Sequence, residues 1–140
     1  MRKRKSIAVL AVTVAVLAAC QTAANTQAVR FRPVAPGVAY PDQPINAGGE
    51  DMLRFTAEAD GVHTIALTGL NADLSWELYD HSIFAWDLAD RWRIAVSDSS
   101  GTADEVGQTP PLTAGQEYYL VIFEWDENTA ARYSLIIRAP

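Results

Sequence analysis

Hydrophobic and polar residues alternate along most of the chain beyond Gly49. Between residues 74 and 79, for example, Leu74, Trp76 and Leu78 alternate with polar or charged residues. Alternation with a period of two places the apolar side chains on one face of a β-strand. Together with short apolar runs, the pattern predicts six strands, at residues 51–57, 62–67, 74–79, 93–97, 117–125 and 132–138.

Turn-forming residues separate these segments. Asp60-Gly61 lies between the first two predicted strands, and a turn from Asp98 to Gly101 follows the fourth. Residues 117–125 are apolar on both faces, which is typical of a central strand that is covered on both sides. Short strands at regular spacing favour an all-β sandwich or barrel over a helical fold.

Two stretches depart from this pattern. Residues 82–92 place Phe84, Leu88 and Trp92 four positions apart, and this helical spacing predicts a short helix or an ordered loop. Residues 31–49 contain four prolines and a glycine pair, and they predict an extended segment with one edge strand near residues 38–40. The preceding ten residues, 21–30, show no apolar period and predict a flexible tether.

The N-terminus has a basic start, an apolar middle and a cysteine. Four basic residues precede an apolar run from Ile7 to Ala19, and Cys20 follows directly. The run is shorter than the ~20 residues that span a bilayer, and it has the length and flanks of a secretory signal. The sequence Leu-Ala-Ala-Cys at residues 17–20 resembles the processing site of a bacterial lipoprotein.

That resemblance implies removal of residues 1–19 and lipidation of Cys20 on its sulfur and its amine. Two or more acyl chains anchor a protein stably in a membrane, at about 0.8 kcal/mol per buried methylene. An aspartate after the cysteine retains such proteins at the inner membrane, so Gln21 implies the outer membrane. The expected organisation is a signal helix over 1–19, a lipidated tether over 20–44 and a β-sandwich over 45–140 in the cell envelope.

Composition narrows the classes of partner. Loss of the signal removes four of the 11 basic residues and leaves seven against 17 acidic residues, a formal charge of −10. A chain this acidic is repelled by nucleic acid, but it suits a solvated surface that meets cations. Cys20 is the only cysteine, so no internal disulfide is predicted. A chain of about 120 residues is long enough to depend on a packed core.

Five segments of the folded part resemble, in order, the strands of the bacterial pre-peptidase C-terminal domain, a module found beside secreted proteases and collagenases. The segments are residues 49–55, 61–70, 72–80, 112–121 and 133–135. In the fourth, Leu-Thr-Ala-Gly at 112–115 precedes Tyr-Tyr-Leu-Val at 118–121. The resemblance covers residues 49–138 and implies a jelly-roll-like antiparallel β-sandwich. No peptidase accompanies the domain, so a protease-linked role is not carried over.

Metal binding has two candidate regions. Collagen-binding members of that family bind calcium through an acidic N-terminal segment, but Asp42, Asn46, Glu50 and Asp51 do not match its spacing. Residues 124–128 also carry oxygen ligands of the kind that hard cations prefer, without a glycine for a sharp turn. We expect a solvated acidic loop there, and no metal or cofactor beyond the lipid. A calcium-stabilised structural module is the alternative.

Catalytic residues are sparse. The chain contains His63, on the apolar face of a predicted strand, and His81, in a predicted turn, and it has no Gly-x-Ser-x-Gly motif. No nucleophile, base and orienting group come together in the sequence, so a non-enzymatic protein is predicted. A small hydrolase using two loop carboxylates, such as Asp87 and Asp126, is the remaining enzymatic alternative.

Aromatic residues near loops supply the candidate binding site. Trp86, Trp92 and Trp125 lie near loops or strand ends, and Asp126 is an acidic neighbour. Exposed rings of this kind stack on sugars, whereas buried ones cover the ends of a sandwich. Trp76 is assigned to the core. The sequence therefore predicts a membrane-anchored, non-enzymatic envelope lipoprotein that binds a protein or a glycan, and no nucleic acid.

Overall fold

The alternating segments form the strands of two β-sheets. A computed structural model describes residues 31–82, 90–126 and 128–140, of which Arg32–Pro140 belong to one compact unit. The predicted signal, Cys20, Trp86 and Asp87 lie outside the described residues. The strands within the described residues are β1 (Arg32–Pro33), β2 (Ala39–Ile45), β3 (Glu50–Thr56), β4 (Gly61–Thr68), β5 (Leu74–Tyr79), β6 (Arg93–Ser97), β7 (Glu105–Leu112), β8 (Glu117–Glu124) and β9 (Ala131–Arg138).

The strand order is that of a jelly roll. One sheet has five strands in the order β1-β3-β8-β5-β6, and the other has four in the order β2-β9-β4-β7. Every neighbouring pair is antiparallel except β1 and β3, which meet in a short parallel contact. Consecutive strands from β2 to β9 lie in different sheets except β5 and β6, which are paired neighbours, and this is the arrangement of two Greek keys. The predicted all-β, jelly-roll-like sandwich is confirmed.

The core lies between the inner faces of the two sheets. Alternate residues of each strand point inward, and Trp76 at the centre of β5 has no solvent exposure. Strand β8, predicted to be central, pairs with β3 on one side and β5 on the other. The assignments of Trp76 to the core and of His63 to a buried face are confirmed, since His63 is also fully buried.

The sandwich begins earlier than the predicted boundary at residue 45. Strand β1 and most of β2 fall in the segment expected to be tether, and β2 pairs with β9 along its length. Strand β2 is an edge strand that contains Pro41, Pro44 and a register shift at Asp42, whose φ is 51°. Edge strands tolerate prolines and bulges, but these features remove the alternation by which a strand is recognised in a sequence.

Strand β7 has no counterpart among the six predicted strands. It forms the other edge of the four-stranded sheet and contains Gly107, Pro110 and Pro111, which are residues typical of turns. A side chain at position 107 would contact the core, because a Cβ there would lie 2.5 Å from Cζ2 of Trp76. The close approach of β7 to the buried indole therefore requires glycine.

The segment 82–92 is described only at its ends. Residues 90–92 are helical and lead directly into β6, whereas 83–89 lie outside the described residues. Among the residues that the structure describes, no helix is long and apolar enough to cross a membrane.

Candidate functional site

Four loops meet at one end of the sandwich. They are residues 46–49, 69–73, 98–104 and 125–130, which connect strands from one sheet to strands of the other. The backbone N–H of Trp125 donates to the carbonyl of Asp73 at 3.3 Å, and the N–H of Gly69 donates to Asp104 at 3.2 Å. These contacts tie three of the loops together, so their side chains present one surface.

Trp125 is the exposed aromatic residue on this surface. Its side chain is 57% exposed, yet its Nε1–H donates to the Ser75 hydroxyl at 2.9 Å. The same hydroxyl donates to the Asp98 carboxylate at 3.1 Å. The ring of Phe123 meets the indole edge to face, with centroids 5.3 Å apart. We call Trp125, Phe123, Ser75 and Asp98 the Trp125 platform.

The pairing of β5 with β8 builds this platform. Ser75 and Phe123 are directly paired in the register of the two strands, and both point to the outer face of the five-stranded sheet. Ser75 is fully buried beneath the aromatic rings. Because β8 ends at Glu124, the chain turns at Trp125 and places the indole over the Ser75 and Phe123 pair. The ring is therefore held on the outer surface rather than in the core.

Asp126 stabilises the turn that follows the platform. Its carboxylate accepts hydrogen bonds from the backbone N–H of Asn128 at 3.1 Å and from the Thr129 hydroxyl at 2.9 Å. These bonds, chiefly the one from the Asn128 backbone, lower the pKa of Asp126. The carboxylate therefore stays ionised and exposed next to Trp125, and it fixes the loop conformation.

Glu124, the last residue of β8, is buried, with 7% of the residue exposed. Neither carboxylate oxygen has a hydrogen-bonding partner among the described residues. Burial, and then the negative charge of Asp126, raise the pKa of Glu124 above its ordinary value of 4.5. Within the described ranges, no three histidine, cysteine, aspartate or glutamate side chains are arranged to hold a metal ion.

Two similar hydrogen-bonded groups occupy the other half of the same outer face. Tyr119 donates to Glu117 at 2.7 Å, and Arg54 donates to the same carboxylate at 2.8 Å. On the adjacent strand, Glu77 accepts from the Tyr79 hydroxyl and from Arg93. Burial and the bonded glutamate raise the pKa of Tyr119 to about 12. Each group links its tyrosine and arginine through one glutamate, and these shared bonds help to hold this half of the face rigid.

Trp92 does not join the platform. It precedes β6 at the opposite end of the sheet, where it is half-buried and stacks on His81 with ring centroids 5.3 Å apart. Of the four sequence candidates for ligand binding, the structure brings together Trp125 and Asp126, separates Trp92 from them, and leaves Trp86 undescribed. Ser75, Asp98 and Phe123 were absent from the sequence prediction, because only the strand register places them beside Trp125.

Comparison with solved structures supports the fold. The chain is similar to the pre-peptidase C-terminal domain of a collagenase from Bacillus anthracis, with a TM-score of 0.59 and 15% identity over 77% of this chain and 94% of that one. It is also similar to PliG from Aeromonas hydrophila, a periplasmic inhibitor of g-type lysozyme, with a TM-score of 0.55 and 12% identity over 78% and 96%. No family model matches the sequence, and no curated protein matches it.

These likenesses confirm the sandwich implied by the sequence resemblance. At 12–15% identity they establish the shared fold and nothing about the residues that act. Neither of the two described histidines lies at the platform. His63 is buried in β4, and His81 pairs with Asp80 at the opposite end of the sandwich.

Proposed function

We propose that this protein is a non-enzymatic binding protein of the bacterial cell envelope, anchored in a membrane through a lipid on Cys20. In this proposal the partner is a protein, and it binds at the Trp125 platform. The observation that carries the proposal is a tryptophan that is 57% exposed although its N–H is held by Ser75 and its ring packs in a T-shaped contact with Phe123.

An exposed indole held in this way suits binding. Tryptophan is enriched among the residues that contribute most to protein interfaces, because a large rigid ring buries area at a low cost in conformational entropy. The internal bonds of Trp125 fix its orientation before any partner arrives, which reduces the cost of association further. A ring needed only for stability would be covered, as Trp76 is.

The similar structures favour a protein partner. PliG is an inhibitor of a lysozyme, so a domain of this shape serves as a protein-binding module in that case. The periplasmic location of PliG also agrees with the envelope location implied by the lipoprotein-like N-terminus of this chain. One similar structure is the pre-peptidase C-terminal domain of a collagenase and the other is an enzyme inhibitor, and these roles support a non-enzymatic function.

A glycan is the second candidate partner. An exposed indole beside carboxylates is an arrangement that stacks on a sugar ring and accepts hydrogen bonds from its hydroxyls. Trp125 with Asp98 and Asp126 provides those groups. The binding test therefore includes a glycan arm.

Binding is tested with the chain from Gln21 onward, immobilised on a surface. Purified g-type lysozyme, an envelope protein extract and peptidoglycan fragments are applied separately. We expect a protein to be retained, and Trp125→Ala to abolish its retention because the platform loses its ring. Val106→Ala is the matched control, since Val106 is equally exposed at 57% but lies on β7 of the other sheet.

Four outcomes contradict the proposed binding. Retention of peptidoglycan fragments alone would favour the glycan. Retention that survives Trp125→Ala would place the binding surface elsewhere. If Trp125→Ala and Val106→Ala reduce retention equally, or if no analyte is retained, the exposure of Trp125 no longer supports a binding role.

The anchor is tested separately with the full chain. We expect the protein to fractionate with membranes, and mass spectrometry to find an acylated Cys20 as the first residue. Cys20→Ser should release the protein into the soluble fraction, because no acyl chain then holds it. An unmodified N-terminus on membrane-bound protein would refute the lipid anchor without affecting the binding test.

A further inference from the structure

We propose that the Trp125 platform recognises a cationic side chain, and arginine in preference to lysine, on the partner. This inference rests on the proposed function and deepens it by naming the chemistry of the group that binds. The platform recognises this group through what it offers to solvent, through the charge around it and through the closeness of Trp125 to Asp98.

The platform offers a π face and acceptors. The only polar hydrogen of the indole is already donated to Ser75, and the Ser75 hydrogen is donated to Asp98. The side chains of these three residues therefore have no further donor to offer a ligand. A π face is attractive to a cation, and a carboxylate is attractive to the same cation, so both surfaces select for positive charge.

The loops around the platform contain acidic residues and no basic ones. Residues 46–49, 69–73, 98–104 and 125–130 include five acidic residues and no lysine, arginine or histidine; the acidic residues are Asp73, Asp98, Asp104, Asp126 and Glu127. Arg132 is a basic residue that follows the last loop, and it donates to Asp42 at 2.7 Å. The charge of this end is therefore complementary to a cation, and a neutral sugar gains nothing from it.

The protein's own arginines are engaged elsewhere. Arg32, Arg54, Arg93 and Arg132 each pair with a carboxylate at 2.6–2.8 Å, and none of these carboxylates belongs to the platform. Arg91 and Arg138 lie at the opposite end of the sandwich. Among the described residues, no arginine is therefore placed to fill the position beside Trp125 from within the same molecule.

The spacing favours a guanidinium over an ammonium. The indole nitrogen and the Asp98 oxygen lie within 2.9 and 3.1 Å of one hydroxyl oxygen, so ring and carboxylate are close neighbours. A planar guanidinium stacks on an indole and still directs N–H groups from its edge towards a carboxylate. A lysine ammonium is a strongly hydrated point charge that cannot satisfy both surfaces with one flat group.

The test uses the full chain, labelled with ¹⁵N and held in a neutral detergent. Tri-arginine, tri-lysine, tri-citrulline and chitotriose are titrated while the indole N–H signal of Trp125 is followed by NMR. Citrulline has the shape of arginine without its charge. We expect a saturable shift with tri-arginine, a weaker response to tri-lysine, and none with tri-citrulline or chitotriose. Raising the salt concentration should weaken the response, since exposed charges are screened.

Two variants separate recognition from folding. Asp98→Asn keeps an oxygen that accepts the Ser75 hydrogen bond but removes the charge, so we expect about two- to five-fold weaker tri-arginine binding with an unchanged spectrum. Trp125→Ala, followed through the Ser75 and Asp98 amide signals, should abolish the response. Val106→Ala should bind like the unchanged protein.

Several results overturn the inference. An equal shift with tri-citrulline, a shift with chitotriose, no shift with any probe, or tri-arginine affinity unaffected by Asp98→Asn would each exclude cation recognition. If an envelope protein is retained through Trp125 while citrulline and arginine act alike, the proposed function stands and this inference fails. If tri-arginine binds but no protein is retained, the proposed function fails instead.

Discussion

At the scale of single residues, Gly107 packs directly against the ring of Trp76. Strand β7 has no side chain at this position, and the buried indole fills the space where a Cβ would stand. Ser97 of β6 lies on the same side, so the glycine is where the two edge strands β6 and β7 approach the core. The largest core side chain therefore depends on the smallest residue of an edge strand.

Gly107→Ala should destabilise the protein. The added methyl group meets Cζ2 of a fully buried and closely packed ring, and overpacking of this kind costs about 1–3 kcal/mol of unfolding free energy. Urea denaturation measures the change. Val106→Ala on the same strand is exposed and should stay within about 0.5 kcal/mol of the unchanged protein. Equal effects at both positions would contradict the packing argument.

Glu124 makes the stability of the fold depend on pH. Its pKa is raised in the folded state, so the folded protein holds this proton more tightly than the unfolded chain does. Its contribution to stability is complete below pH 4.5 and is lost as the pH rises through the raised pKa. Above that pH an ionised carboxylate without partners is buried, which destabilises the fold.

Glu124→Gln should therefore raise the melting temperature at neutral pH, and the gain should shrink as the pH falls towards 4.5. Thermal denaturation across this pH range measures it, with Glu58→Gln as the control at an exposed position. A calcium-dependent rise in melting temperature that Glu124→Gln removes would show instead that the carboxylate binds a metal.

At the scale of elements, the turn between β8 and β9 depends on one side chain. Asp126→Ala removes acceptors for the Asn128 backbone and the Thr129 hydroxyl, so the urea midpoint at neutral pH should fall. Asp126→Asn retains one acceptor and should restore part of the loss. Because the pKa of Asp126 is lowered, its stabilisation is present at neutral pH and is lost as the pH falls through that lowered value.

If Asp126→Ala abolished partner binding while leaving the urea midpoint unchanged, Asp126 would be a ligand contact rather than a turn residue. This measurement therefore decides between the two roles that its position next to Trp125 allows.

The elements that the sequence predicts best are those with one buried face. Strands β3, β4, β5, β6, β8 and β9 match the predicted segments to within one residue at each end, because alternation reports burial on one side of a sheet. Strand β2 is predicted only at its start, near residues 38–40, and β7 is not predicted, because both are edges, where prolines and bulges are tolerated. The sequence does not predict the platform, for another reason. Strand register brings Ser75 and Asp98 to Trp125, and no local sequence pattern encodes that register.

At the scale of the whole molecule, both sheets contribute to one core. Leu53 and Phe55 of the five-stranded sheet share a single cluster with Ile65 and Leu135 of the four-stranded sheet. Strand β6 of one sheet also contacts β7 of the other, so the sandwich is closed along that side. Neither sheet can bury its apolar face without the other.

A chain comprising residues 31–140 should therefore fold independently and unfold in one cooperative transition. Near-ultraviolet circular dichroism, which reports tertiary packing, and the far-ultraviolet strand signal should change at the same temperature. Calorimetry should give a heat-capacity change of about 1.5 kcal/mol/K for this size of domain. Separate transitions, or a spectrum dominated by helix, would contradict a single shared core.

The four edge strands of the two sheets are all short or contain prolines, and this affects aggregation at high protein concentration. Strand β1 has two residues and includes Pro33, β2 and β7 each contain two prolines, and β6 has five residues. A proline offers no N–H to a neighbouring molecule, and a short or bulged strand gives little backbone for one to pair with. Molecules crowded side by side are thereby kept from joining edge to edge into aggregates.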